Sequence, residues 1–501
     1  MFAEVKRILQ TDKQIKWVWI AGLVVQLISC ITAIGVSSAD QHFQIVEFSL
    51  HQLGKESGAP FVWEMLHFVR PTLQVYLFSG YHQACNFLGI TDPYSQLTIL
   101  RILLGLVMFA VFNLVAVFYF KNGSRKILLY VLLLLNFSWC LPYTRTLYSS
   151  ETVCSLVFFG TLLLYEIKKE KQPGFIFLAI IGLLFSMAFY FRFQMAMAMV
   201  GFGIYVLSEK RYKYILPIAA GFVIGILINV YLDFLFYKEW VFTPFTYFYA
   251  NINDGRAAQF GESSFLRYIG LLILVAPAPF FSIVFLYYGV KALFKNFSNP
   301  LLLSVIIFIV GHSLIGHKEE RFLFPIFNVL PMVIGFGIPE LELFYANGKK
   351  WVRSLMKGFF WFTVGLNMIL LIAILSVPYS QTIKFSYLLK ERFDGKPVTL
   401  HCLGQTPFET PSKNPMVFYK NGAKNITLKR VGGIDSLRLL NEKVTYLAAT
   451  YNDIKNNKPL LDSLGYHPVM YSSGLLWKIN GLLQSKKINT INEIWALYIK
   501  E

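Results

Sequence analysis

The run His317-Lys318-Glu319-Glu320-Arg321-Phe322 sets five charged or titratable side chains between two apolar stretches, residues 301–315 and 323–337. Ionisable groups squeezed between potential bilayer spans are costly unless they face water, headgroups or a ligand, so such a cluster marks a functional site. Lys318 and Arg321 suit a phosphate, the arginine in a bidentate manner. His317 joins them, and Glu319 and Glu320 suit structural or acceptor support. The competing role is headgroup positioning, but cations on an outer face run against the positive-inside bias.

A second set opens the first long polar loop. Asp40, Gln44, Glu47 and His51 follow the first apolar run, and on a helix Asp40, Glu47 and His51 share one face. Asp40 is placed either to cap that helix or to act as a general base near an acceptor hydroxyl. Trp63, Glu64 and Arg70 come next; a tryptophan here also suits interfacial anchoring. Residues 72–90 are amphipathic and suit a helix lying in the membrane interface. Arg145 and Glu151, in a hairpin between apolar runs, are spaced for a surface ion pair of little energetic weight. Arg192 stands between two apolar runs, and its permanent charge suits phosphate contact. An aromatic-rich segment from Asp233 through Tyr237, Trp240 and Thr243-Pro244 to Gly261 is long enough to be functional.

These residues need a membrane scaffold. The 501 residues are 55% hydrophobic and only 15% charged, and the mean hydropathy is +0.53, which points to a polytopic membrane protein. The formal charge of +18 fits loop cations that fix orientation rather than nucleic-acid binding, for which no signature is present. The five cysteines show no metal-ligand spacing, though Cys85 and Cys402 lie outside the apolar runs and could pair. Ser37-Ser38-Ala39 resembles a cleavage site, but residues 17–36 exceed the usual signal core of about 7–15 residues, so an uncleaved first span is expected.

About eleven apolar runs are candidate spans: 17–36, 97–120, 127–143, 151–167, 174–190, 193–208, 214–235, 266–290, 300–316, 322–338 and 358–378. Lys6, Arg7, Lys13 and Lys16 place the N-terminus in the cytoplasm. Five later basic clusters, at Lys121/Arg125/Lys126, Lys168/Lys169/Lys171, Lys210/Arg211/Lys213, Lys291/Lys295 and Lys349/Lys350/Arg353/Lys357, fall on the same side of an eleven-span count. The loop at 37–96, the 317–322 turn and everything beyond about 379 then share the non-cytoplasmic face. The expected domains are 1–379, a transmembrane catalytic domain, and 380–501, a small α+β domain that binds substrate or caps the membrane part. Strands are expected at 398–402 and 426–431, and helices near 455–464 and 490–499.

The motifs together resemble the membrane mannosyltransferases of glycosyltransferase family 22, which build GPI anchors and dolichol-linked glycans. His317 to Phe322 followed by Leu323-Phe324-Pro325 matches the family signature. Asp40-Gln41-His42-Phe43-Gln44, Trp63-Glu64 with Arg70, Arg145-Thr146-Leu147 through Glu151, and the 233–251 block resemble its other shared elements in family order. His401-Cys402 with Thr406-Pro407 faintly resembles an element of the GPI-anchor members. The chain departs at Ser38-Ala39, where the family has His-Pro, and at Gln41, where it has an acid.

The resemblance implies an α-helical polytopic GT-C fold with a large first external loop. It implies an inverting transfer of mannose from a polyprenyl-phosphate donor, of the dolichyl phosphate mannose type in a eukaryote, to a glycolipid hydroxyl. Asp40 would be the base, with Lys318, Arg321, Arg192 and His317 at the leaving phosphate. One leaving phosphate can be served by side chains, so neither metal nor cofactor is expected. The membrane is the endoplasmic reticulum in a eukaryote or the inner membrane in a bacterium. The rivals are a transporter or lipid flippase, against which the lack of an internal repeat speaks, and a GT-C enzyme for another polyprenyl-phosphate sugar.

Overall fold

The computed structural model describes residues 2–36, 38–275, 282–295, 298–432, 436–439, 444–455, 457–486, 491 and 493–500. Ser37 of the cleavage-like triplet, residues 276–281 of the 266–290 run and Gly433 lie outside them. The chain divides into two compact units: Met1–Thr32, His67–Gln74 and Leu100–Val377 form one, and Ala33–Leu66, Val75–Ile99 and Pro378–Glu501 the other. The second unit thus joins most of the loop after the first span to the C-terminal residues.

Among the described residues, each apolar run is helical. Five helices are long and apolar enough to cross a membrane: Lys13–Thr32, Pro93–Phe120, Ser150–Lys171, Tyr212–Tyr237 and Lys350–Ser376. The number rises to seven when two bent helix pairs each count as one span, short of the expected eleven. The shortfall has a physical origin. Arg125–Phe137 and Met195–Ser208 have only 13 and 14 residues, short of roughly 30 Å of hydrocarbon at about 1.5 Å per residue. Phe175–Phe191, with 17, is at the lower end of spanning length, and residues of the expected runs 266–290 and 300–316 share one bent pair. The 322–338 run is broken: Glu320–Phe327 and Leu330–Asn347 meet at 67°. Pro331 lies in the first turn of the second piece, where its missing amide hydrogen costs nothing because the first-turn amides have no intrahelical partner.

The first unit is held by aromatic and aliphatic packing around Phe112, Phe158 and Phe308, all fully buried. Helices Phe175–Phe191 and Ile215–Tyr237 approach closely through glycine. A methyl group on Gly182 would sit 1.9 Å from the Ile218 carbonyl, and one on Gly221 would sit 1.8 Å from that of Ala179. Gly221 and Gly225 form the small-xxx-small pattern that lets helix backbones meet in lipid.

The second unit contains a five-stranded sheet: β1 (Val398–Leu403), β2 (Ile426–Val431), β3 (Tyr446–Thr450), β4 (Tyr466–Tyr471) and β5 (Trp495–Lys500), in the order β2-β1-β3-β5-β4. β1 pairs in parallel with β2 and β3, while β5 runs antiparallel between β3 and β4. The strands expected near 398–402 and 426–431 are present, but the helix expected over 490–499 is not. Residues from Trp495 onward are β5 instead. A central strand is buried on both faces, so its apolar residues run continuously and lose the alternation that marks a half-exposed strand. In the 455–464 region the short helix Lys458–Ser463 is present, preceded by Tyr451–Ile454 just outside it. Trp495 ties the sheet to helix Gln381–Phe393, stacking on Phe385 at 5.5 Å and donating its indole N–H to Thr382 Oγ1 at 3.0 Å. All five cysteines are buried and free, Cys85 and Cys402 included.

Candidate active site

In the second unit, the loop after the first span is one helical stretch with an unusual middle. Ala39–Gln41 is α-helical, His42–Glu47 is a π-helix, and Phe48–Gln52 is α-helical again. The capping residue is Ser38, whose hydroxyl accepts from the Gln41 amide at 3.4 Å. Asp40 is therefore in the first turn, half-buried, at the end of a helix where negative charge is favoured. The wide π turn also breaks the expected alignment of Asp40, Glu47 and His51. Glu47 is fully buried, whereas His51 is exposed.

Glu47 is the keystone of this loop. Its Oε1 lies 2.8 Å from His42 Nε2 and accepts from the Phe418 amide at 3.0 Å, and its Oε2 accepts from the Gly58 amide at 2.7 Å. His42 also stacks on Tyr419 at 5.2 Å. Gln44 Nε2 donates to Glu64 Oε1 at 3.1 Å, with Glu64 buried and Trp63 half-buried beside it. These residues support the segment that carries Asp40.

The first unit holds the cations. Arg145 is 1% exposed, and it does not pair with Glu151 as its spacing suggested. Its guanidinium donates to Asn328 Oδ1 at 2.7 Å and to the Leu135 carbonyl at 2.5 Å, fixing the hairpin to the broken helix pair. Glu151 pairs instead with Arg192, at 3.1 Å, and both are buried. The Arg192 guanidinium lies 4.8 Å from the Phe322 ring centre, and its Nη2 is buried without a hydrogen-bond partner among the described residues.

The 317–322 turn is internally neutralised. Glu319 takes His317 Nε2 at 3.0 Å and Arg321 through Nε at 2.6 Å and Nη2 at 3.0 Å. Glu320 reaches Arg267 at 3.3 Å. Lys318 is buried, and its ammonium donates to the carbonyls of Ser263 (3.1 Å) and Ile315 (2.5 Å). Two of its three N–H groups are thus used, and one is uncommitted among the described residues. Arg70 sits 5.5 Å from the Tyr247 ring centre, and its carbonyl accepts from Tyr237 Oη at 2.8 Å.

The sequence profile of the Alg9-like mannosyltransferase family matches residues 17–413. The chain belongs to that family. GPI mannosyltransferase 3 of Yarrowia lipolytica is 24% identical over 64% of this chain and 62% of its own length. The Schizosaccharomyces pombe protein of the same name is 20% identical over 72% of this chain and 73% of its own length. The match thus spans under two thirds of the Yarrowia protein. ArnT from Cupriavidus metallidurans bound to undecaprenyl phosphate superposes with a TM-score of 0.55 at 12% identity, covering 97% of this chain and 98% of that one. The Archaeoglobus fulgidus oligosaccharyltransferase tethered with an acceptor peptide gives a TM-score of 0.50 at 11% identity, covering 92% and 73%. The fold is the GT-C fold of a membrane protein.

Within this family member, the 233–251 block singled out in the sequence is anchored by its first residue, whereas Tyr268 and His312 were not singled out. Asp233 is fully buried; Oδ1 accepts from the Thr72 amide (2.9 Å) and hydroxyl (2.7 Å), and Oδ2 from the Thr243 hydroxyl at 2.6 Å. It pins the 67–74 segment to the start of helix Thr243–Phe248. Asp233→Ala is expected to destabilise the protein by about 2–4 kcal/mol, since hydrogen bonds to a charged group contribute about 1.5–3 kcal/mol each and two hydroxyls lose their partner. Thermal unfolding in one detergent checks it. Tyr268 and His312 are also buried in this unit, with rings 6.3 Å apart, and Tyr268 lies 5.9 Å from the Lys318 ammonium. A tyrosine and a histidine inside apolar helices carry no local pattern that would single them out.

Proposed function

We propose that this chain is an inverting membrane mannosyltransferase that moves mannose from a polyprenyl-phosphate donor to a hydroxyl of a lipid-linked glycan. The observation that carries the reading is the family match over residues 17–413, which contains both Asp40 and the 317–322 turn. The undecaprenyl phosphate held by the ArnT relative in fold supports a lipid monophosphate donor. The names of the fungal relatives support a GPI-type acceptor.

In the proposed reaction Asp40 takes the proton of the acceptor hydroxyl. The oxygen attacks the anomeric carbon from the face opposite the phosphate and forms the new C–O bond. The old C–O bond breaks, and its electron pair leaves on the phosphate. Lys318 offers its remaining N–H to that phosphate, Arg321 its guanidinium, and Arg192 its unpaired Nη2, stabilising charge as it develops. His317 and Glu319 orient Arg321; Glu320, through Arg267, steadies the turn. Trp63, Glu64, Gln44 and Glu47 support the loop of Asp40, and Arg145 supports the hairpin of Glu151.

The test supplies purified protein with radiolabelled polyprenyl-phosphate mannose and glycolipid acceptors. Lys318→Ala and Arg321→Ala are each expected to raise KM for the donor by about 10- to 100-fold, the loss of one charge-assisted contact. Unchanged donor kinetics in both variants would remove these residues from the phosphate site. We place the reaction on the non-cytoplasmic face, from the distribution of basic loops. The native cysteines are all buried, so an added surface cysteine within 380–501 gives a clean signal with an impermeant reagent. Labelling from the cytoplasm alone sinks that placement.

A further inference from the structure

A cavity of about 680 Å³ opens within the second unit, inside the roughly 300–1,000 Å³ range of small-molecule sites. Its walls come from the loop after helix Phe48–Gln52, the far end of Leu73–Phe87, the start of Pro93–Phe120, and residues of the C-terminal part. No step of the proposed transfer uses them.

The hydrogen bonds on one wall settle a protonation state. Gln96 Nε2 donates to Asn86 Oδ1 at 3.1 Å and to the Ile90 carbonyl at 2.6 Å. Its oxygen is therefore the atom that meets His82 Nδ1 at 2.8 Å, and Nδ1 carries the proton. His82 Nε2 is then a bare acceptor, and it receives both Lys55 Nζ and Asn86 Nδ2 at 3.1 Å. The ring is neutral. Burial is the main cause that holds its pKa below the ordinary histidine value, the Gln96 hydrogen bond opposes this, and the Lys55 charge adds to the lowering.

A lysine ammonium is thereby clamped at the cavity by a neutral imidazole. A carboxylate in that place would cancel the charge; an imidazole leaves it whole. Among the described residues, neither Lys55 nor Lys424, a second lysine of the wall, has a carboxylate partner. The third wall lysine, Lys390, is engaged by Asp92 at 3.1 Å and Glu391 at 3.2 Å. Asp92 also accepts from the Ser95 amide and hydroxyl, which leaves Glu56 as the one further carboxylate among the lining residues. The lining residues thus set three lysines against two carboxylates, and the carboxylates that engage Lys390 leave Lys55 and Lys424 without one among the described residues. Asn421, exposed among the lining residues, offers a side-chain amide to a hydroxyl of an anionic ligand.

We infer that this cavity binds a phosphate ester carried on a sugar or a lipid headgroup, with Lys55 and Lys424 as its anion contacts and His82 as the residue that positions Lys55. None of its lining residues is one assigned to the donor phosphate of the proposed transfer.

The test is titration calorimetry of the full-length protein in phosphatidylcholine nanodiscs with mannose 6-phosphate, with mannose and with inorganic phosphate. Mannose 6-phosphate is expected to bind more tightly than either simpler probe. Combining Lys55→Gln with Lys424→Gln is expected to weaken it at least about tenfold, the scale of one lost charge-assisted hydrogen bond. Both positions are exposed, so the thermal unfolding temperature should stay that of the parent. Lys55→Arg, which keeps the charge, should retain most of the affinity. In nanodiscs that contain phosphatidylinositol, loss of mannose 6-phosphate binding assigns the site to a lipid headgroup and unchanged binding assigns it to a free sugar phosphate; both support it. Equal affinity in parent and double variant, or no binding by the parent, overturns it. Calorimetry reads binding rather than sugar transfer, so this outcome is independent of the proposed activity.

Discussion

Asp40→Asn is expected to lower kcat for mannose transfer by about 10²- to 10⁴-fold, the usual contribution of a positioned general base. The substitution keeps the size of the side chain and its place in the first turn of Ala39–Gln41, so the Ser38 cap and the π turn that follows have no reason to change. It removes the negative charge and with it the capacity to take a proton. KM for the donor should therefore hold while kcat falls, the pattern of an interaction made in the transition state alone. Asp40→Glu keeps the carboxylate and displaces it by one methylene; it should recover part of the rate. A variant Asp40→Asn that turns over at the parental rate rules out the base assignment.

The second large effect is on stability. Arg192 and Glu151 are a buried pair, 8% and 5% exposed. Arg192→Ala leaves the Glu151 carboxylate buried and uncompensated, and the expected loss is about 3–5 kcal/mol. Glu151→Gln exposes the complementary deficit on the arginine. Combining Glu151→Gln with Arg192→Met removes both charges and should return much of the stability, because a buried pair exchanged for uncharged groups is often neutral. Unfolding temperatures of the four proteins in one detergent measure this. The double variant also separates two roles. If Nη2 of Arg192 serves the leaving phosphate, the stable double variant still transfers mannose slowly; parental kcat there would confine Arg192 to holding Glu151.

What could be read from the chain depended on the range of the interaction. The 317–322 turn announced itself because its charges stand beside apolar runs, and strands β1 and β2 did so through local alternation. Pairings between distant segments carry no such mark. Arg145 and Glu151, six positions apart, look like partners, yet the fold gives each a buried partner from a distant segment, Asn328 and Arg192. The strand at Trp495–Lys500 was mistaken for a helix because burial on both faces erases its period. The π turn at His42–Glu47 was invisible for another reason: what holds it is Glu47, whose partners lie at Gly58 and Phe418.

That last bond has a consequence in time. The Glu47 carboxylate and the Phe418 amide are 371 residues apart in the chain. At synthesis rates of about 5–20 residues per second, roughly 20–75 seconds separate the emergence of the carboxylate from that of its partner. Until then the Asp40 loop has a charged acceptor with no Phe418 amide to receive. A nascent enzyme therefore passes through its whole membrane-insertion programme with its proposed base on an unfinished loop. If Asp40 is the base, a chain arrested before Phe418 is expected to transfer no mannose, which an activity assay of a chain truncated before that residue checks.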